Sequence, residues 1–166
     1  MELQTEQLSI IGLTEEQFSL LLRGNDKLEE SLGLQITSEP FDKDVEQALR
    51  WLYEQGIADR DNFQWYTNWQ IILKDAGMVL GSANFLGKPN EEGHVELTFG
   101  LHKFGRLRGY DEEALNAICN WALLQNGVQK VLINADKSDM PYLMIFEKCG
   151  FVLLEEMADT LLLSKS

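Results

Sequence analysis

Apolar positions first cluster at LSIIGL (8–13), a β-branched run with polar residues on both sides, which predicts a strand. The spacing then becomes helical. Thr14 stands as an N-cap, Gln17 completes a capping box, and Leu13 is placed to staple onto Phe18. RGND (23–26) breaks this helix, and a second short one is expected over 27–32. In DKDVEQALRWLYEQG, Val45, Ala48, Leu49, Leu52 and Tyr53 share one helical face, with Asp42 as cap and Gly56 as stop.

After the aromatic stretch FQWYTNW the pattern turns to strands. WQIILKD, GMVLGSANFLG and GHVELTFGL are separated by AG and KPNEEG, which read as hairpin turns. A helix follows over 111–126, apolar on most sides through Ala114, Leu115, Ile118, Trp121 and Ala122. VQKVLINA is a further strand. MPYLMIFEKCGF is a helix that ends at Gly150, a natural left-handed cap, with Phe151 just beyond. FVLLEE and TLLLSK add two closing strands. The strand after 111–126 can return parallel through a helical crossover. The order therefore predicts an α/β (α+β) class: a mixed, mostly antiparallel sheet flanked by helices, with residues 1–166 as a single domain.

Composition changes this picture in one respect, the choice of partner. The net charge is −13, from 27 acidic against 14 basic residues. Such a surface repels nucleic acid and anionic membrane, and it attracts cations such as amines. Cys119 and Cys149 lie far apart inside apolar helical patterns and read as buried free thiols of a reducing compartment. Two histidines, His94 and His102, give a metal site little support. MELQTEQLSI lacks the basic-then-apolar pattern of a signal peptide, and no apolar run approaches transmembrane length, so a cytoplasmic location is expected.

The chemistry concentrates in KFGRLRGYDEEAL. Arginines and glycines running into a helix are a way to prepare a place for phosphate: small residues let the backbone approach, and the helix N-terminus offers free donors and partial positive charge. Yet this helix opens with Asp111, Glu112 and Glu113. Carboxylates in a first turn are favoured by the helix dipole by about 0.3–1 kcal/mol. Two like charges 4 Å apart at an effective dielectric of 20, however, repel by about 4 kcal/mol. Two outcomes stay open: an intact cradle with Asp111 turned outward, or one lost or weakened.

The order of elements, together with four sequence pieces, resembles the GNAT superfamily of acetyl-CoA-dependent N-acetyltransferases, in its ribosomal-protein and small-amine branch. The pieces are LQTEQLSIIGLTEEQF, WQIILKDAGMVLGSANFLG, GHVELTFGLHKFGRLRGYDEEAL and IFEKCGF. The resemblance implies that the loop before the helix wraps the cofactor's pyrophosphate. It places Arg106, Arg108, Gly109 and Tyr110 in that loop, with backbone groups of Leu101 and His102 beside the cofactor. Leu107 stands where the family has a glycine, Asp111 where it has a small residue, and Asp139 where it has an asparagine.

Transfer of acetyl to an amine needs the amine neutral, whereas a lysine-like amine with a pKa of about 10.4 is protonated at neutral pH. A base is therefore useful. In HVELTF, alternation puts His94, Glu96 and Thr98 on the face opposite Val95, Leu97 and Phe99. Glu96 is the candidate base, a position the resemblance sets beside the substrate, and His94 is a weaker substitute. Tyr142 aligns with the serine that this branch often uses to reprotonate the leaving thiolate, so it is the candidate acid. FQWYTNW offers aromatic faces for a cation but also suits the core, and Trp69 is assigned there. Two functions follow. One is an N-acetyltransferase moving acetyl from acetyl-CoA to a primary amine of a small molecule or a protein N-terminus. The other is a degenerate GNAT-like domain without catalysis, acting as a ligand- or protein-binding module. The C-terminal strands offer one route to a homodimer.

Overall fold

A computed structural model describes all 166 residues. One eight-stranded sheet runs β1 (Glu2–Gln4), β2 (Leu8–Gly12), β3 (Asn68–Leu73), β4 (Met78–Phe85), β5 (His94–Leu101), β6 (Lys130–Asp136), β8 (Thr160–Lys165) and β7 (Val152–Glu156). The helices are α1 (Glu15–Arg23), α2 (Asn25–Ser31), α3 (Lys43–Ala58), α4 (Tyr110–Leu123) and α5 (Met140–Lys148), with a 3-10 segment at Arg60–Trp65. Every pairing is antiparallel except that of β5 with β6, which α4 connects as the crossover. No helix is long and apolar enough to cross a membrane.

Local signals hold where they are strongest. Thr14 and Gln17 form both halves of the capping box, and Asp42 caps α3. Leu13 and Phe18 sit in one small core with Leu21, Leu28, Leu49 and Leu52, joining α1, α2 and α3. One expectation needs correction: α3 runs through Gly56 to Ala58. β1, too short to show a period, adds a strand before those expected. Gly56 is a packing residue: a Cβ there would stand 2.8 Å from the Phe63 ring.

The main core lies between the sheet and α4. Trp121 of α4 meets Trp65, Trp69 and Phe85, with ring centroids 5.0, 4.8 and 5.8 Å away. This cluster anchors α4 against the 3-10 segment, β3 and β4. Trp69 is fully buried and Trp65 nearly so, which leaves neither free for an acceptor. Cys119 and Cys149 are buried free thiols, and burial pushes the Cys119 thiol up to about 12. β7 is an edge strand whose five residues are all exposed, the surface to which a homodimer through the C-terminal strands would have to pair.

The fold positions a site by letting two strands part. β5 and β6 pair only from His94–Lys130 to Glu96–Leu132. Beyond Glu96, β5 stays with β4 out to Gly81–Leu101, and β6 stays with β8. Gly81 holds the far end of β5 close, since a Cβ there would lie 2.2 Å from the Gly100 carbonyl oxygen and 2.7 Å from the Leu101 Cα. Gly81→Ala is therefore expected to cost about 2–3 kcal/mol by forcing the strands apart. In thermal unfolding this is a midpoint drop of roughly 4–12 °C.

Candidate active site

Where β5 and β6 part, a cavity of about 180 Å³ opens, lined among others by Glu96, Thr98, Phe99, Asn134, Asp136 and Tyr142. Alternation along β5 buries Val95 and Leu97 in the core and turns Glu96 into this cavity. The Asn134 amide donates to the Glu96 carboxylate at 3.0 Å, which orients it from the facing strand. Asp136 and Asp139 add two more carboxylates to the cavity wall. Hydrogen bonds from the Ser138 hydroxyl and N–H hold Asp136 below the usual carboxylate range. His94 sits at the paired end of β5, 3.5 Å from Glu92, and does not line the cavity.

Backbone parity on β5 is set by its two neighbours. The His102 N–H donates to the Leu80 carbonyl on the β4 side. The Leu101 N–H points the other way, across the gap, and donates to the Tyr142 hydroxyl at 3.1 Å. Tyr142 in turn donates to Asp111 Oδ2 at 2.8 Å, and the Leu107 N–H donates to Asp111 Oδ1 at 2.8 Å. A single chain of bonds thus joins β5, α5, α4 and the loop before α4. The Arg106 guanidinium lies 4.2 Å over the Tyr142 ring and forms an ion pair with Asp139, which also caps α5.

Of the two outcomes left open for Asp111, the outward turn is not the one adopted. The side chain is fully buried, with both carboxylate oxygens bonded inside the cradle. A buried carboxylate is costly unless its oxygens are satisfied, and α4's N-terminus adds a favourable dipole. Arg106 and the N–H groups of Leu101, His102 and Leu107 are all engaged within the chain. Burial, with Asp111 adding to it, pushes the Tyr142 hydroxyl up to about 12, so it stays protonated at neutral pH.

The other carboxylates of the first turn have separate structural tasks. Glu112 pairs with Lys148 of α5 at 3.2 Å. Glu113 accepts from the Thr5 hydroxyl and from the Gln7 N–H and amide, tying the β1–β2 turn to α4. Although burial pushes Glu113 upward, those bonds bring it below the ordinary value. Some of the cradle stays open. The N–H groups of Tyr110, Asp111 and Glu112 have no partner within the chain, Gly109 caps the helix in the left-handed region without a side-chain bond, and Arg108 rests on Phe104 with no carboxylate partner.

The chain has counterparts among known proteins. The profile of the acetyltransferase (GNAT) domain matches residues 15–152. The chain belongs to the GNAT acetyltransferase family. It is 27% identical over 128 residues to YjdG of Bacillus subtilis, an uncharacterized N-acetyltransferase, spanning 77% of this chain and 76% of that one. Its fold is similar to that of the ribosomal-protein-S5-alanine acetyltransferase of Vibrio fischeri, with TM-score 0.70 and 12% identity over 99% and 96% of the two chains. The dodecameric spermidine N-acetyltransferase of Vibrio cholerae gives TM-score 0.68 and 14% identity over 97% and 94%.

GNAT proteins generally take acetyl-CoA as co-substrate, and the residues here fit it unevenly. The open amides of 110–112 and Arg108 suit its phosphates. In this conformation, however, the Tyr142 hydroxyl is bonded to both the Leu101 N–H and Asp111, so these groups are engaged with one another. The sequence raised Asp111 as a question, but its inward turn had no local signal, because its partners lie 4 and 31 positions away.

Leu107 is the one non-glycine residue with positive φ, at 63°, and its side chain is half exposed. The left-handed region costs a side-chain-bearing residue roughly 1–2 kcal/mol, more than the entropy that a glycine adds to the unfolded chain. Leu107→Gly should therefore stabilise the fold by about 0.5–1 kcal/mol, a rise of roughly 1–4 °C in the unfolding midpoint.

Proposed function

We propose that this GNAT protein is an acetyl-CoA-dependent N-acetyltransferase acting on a cationic primary amine, a small molecule or a protein N-terminus, in the cytoplasm and as one domain over residues 1–166. The observation that carries this reading is Glu96, aimed into the parted-strand cavity and oriented by Asn134 at 3.0 Å. Acetyl-CoA would supply the acetyl group as a thioester.

The chain's own residues would do the rest. Glu96 and Asp136 give the cavity a negative wall, and the charge of −13 draws cations toward it. Glu96 takes the proton that keeps the amine unreactive, directly or through a water. Phe99 shares the backbone parity of Leu101, so its N–H and carbonyl face the gap and can orient an extended ligand arm. Arg108 and the amides of 110–112 hold phosphate. Tyr142 retains its proton at neutral pH and is the hydroxyl available to return one to a departing thiolate. The spermidine and ribosomal-protein acetyltransferases that share the fold support an amine acceptor.

The buried Asp111 favours a second reading, a GNAT-like domain that binds a ligand or protein without catalysis. Thermal unfolding with millimolar acetyl-CoA separates the two. Ligand at 100 times its dissociation constant adds about 2.7 kcal/mol, a rise of roughly 5–11 °C at this chain length. No shift, and no acetylation of a panel of primary amines, would leave the binding reading.

Glu96→Gln tests the base. Turnover should fall by about 10²–10⁴ near neutral pH. The deficit should shrink toward pH ~10, where amines of this class lose their own proton. A variant with wild-type turnover across that range would remove Glu96 from the role.

A further inference from the structure

Three parts of the cradle that lie far apart in sequence meet at one carboxylate. Asp111, fully buried, holds the Leu107 N–H at 2.8 Å and the Tyr142 hydroxyl at 2.8 Å, and that hydroxyl also takes the Leu101 N–H at 3.1 Å. Arg106 covers the Tyr142 ring and is itself held by Asp139. Donors that could serve a bound anion or an extended ligand arm are thereby used up by the protein itself. A carboxylate with two acceptor oxygens, at the start of a helix and facing a loop N–H, is the chemical equivalent of one phosphate edge.

We infer that Asp111 is an intramolecular stand-in for the cofactor's phosphate, and that with Tyr142 it forms a latch across the gap between β5 and β6. This rests on the acetyl-CoA reading above. While the latch is shut, the thioester arm has no path between the strands. The Tyr142 proton is also directed at Asp111, away from the cavity. Parting the two side chains frees the Leu101 and Leu107 N–H groups together with the tyrosine hydroxyl. Admission of the cofactor and release of the candidate acid are then one event. Leu107 belongs to the same device, since its left-handed backbone aims its N–H at Asp111.

Asp111→Asn keeps the size of the side chain, removes the charge and presents at most one acceptor oxygen. Its dissociation constant for acetyl-CoA, by calorimetry on the full chain, should be at least tenfold lower than the wild type's. Tyr142→Phe removes the hydroxyl that links Asp111 to Leu101 and should also bind more tightly, while turning over more slowly. Amide hydrogen exchange gives a readout without ligand: Leu107 should exchange at least tenfold faster in Asp111→Ala, which leaves its N–H no side-chain acceptor, and Leu101 in Tyr142→Phe. Equal or weaker binding by Asp111→Asn and Tyr142→Phe, in a wild type that acetylates amines, would overturn the latch and leave the function standing. Unchanged exchange at both amides would overturn it as well. Failure of those two variants and the wild type to bind millimolar acetyl-CoA would overturn the cofactor reading, and the latch with it.

Discussion

β5 and β6 are bound to one another over three residue pairs, and beyond Glu96 each keeps only its antiparallel neighbour. Backbone donors exposed by such a parting must find partners, because buried N–H groups without them are costly. α5 answers that demand by placing Tyr142 over the gap, where its hydroxyl takes the Leu101 N–H. The hydroxyl's own proton then needs an acceptor, and Asp111 supplies it. The cavity, the tyrosine geometry and the buried carboxylate are successive consequences of where one ladder stops.

The three carboxylates that open α4 illustrate how a shared local preference can serve unrelated ends. Any of them satisfies the helix dipole. Glu113 faces the β1–β2 turn, Glu112 faces Lys148 of α5, and Asp111 faces inward. Successive positions point about 100° apart on a helix, so three neighbours necessarily meet three different surroundings. Their common position in the sequence hides this division.

Much of the fold was legible because its signals are local. The Thr14–Gln17 capping box, the turns at Gly77 and Gly93, and the alternation that separates Glu96 from Val95 and Leu97 all act within a few residues. β1 was not legible, because three residues carry no period, and Gly56 resembles a stop unless Phe63 is known to lie against it. In the site, the residue types and the loop could be read directly. What the sequence could not convey was orientation. Whether Asp111 looks toward solvent or toward the cradle depends on Leu107 and Tyr142 jointly, and Tyr142 arrives there only through the packing of α5.

The two cysteines have a practical consequence. Both thiols are buried, and burial raises both above the ordinary thiol value, Cys119 to about 12. Because the thiolate is the reactive species, the folded protein should be nearly silent toward thiol-directed dyes. A colorimetric count of free sulfhydryl can then follow acetyl transfer continuously. Any colour that develops reports coenzyme thiol set free, with little background from the protein.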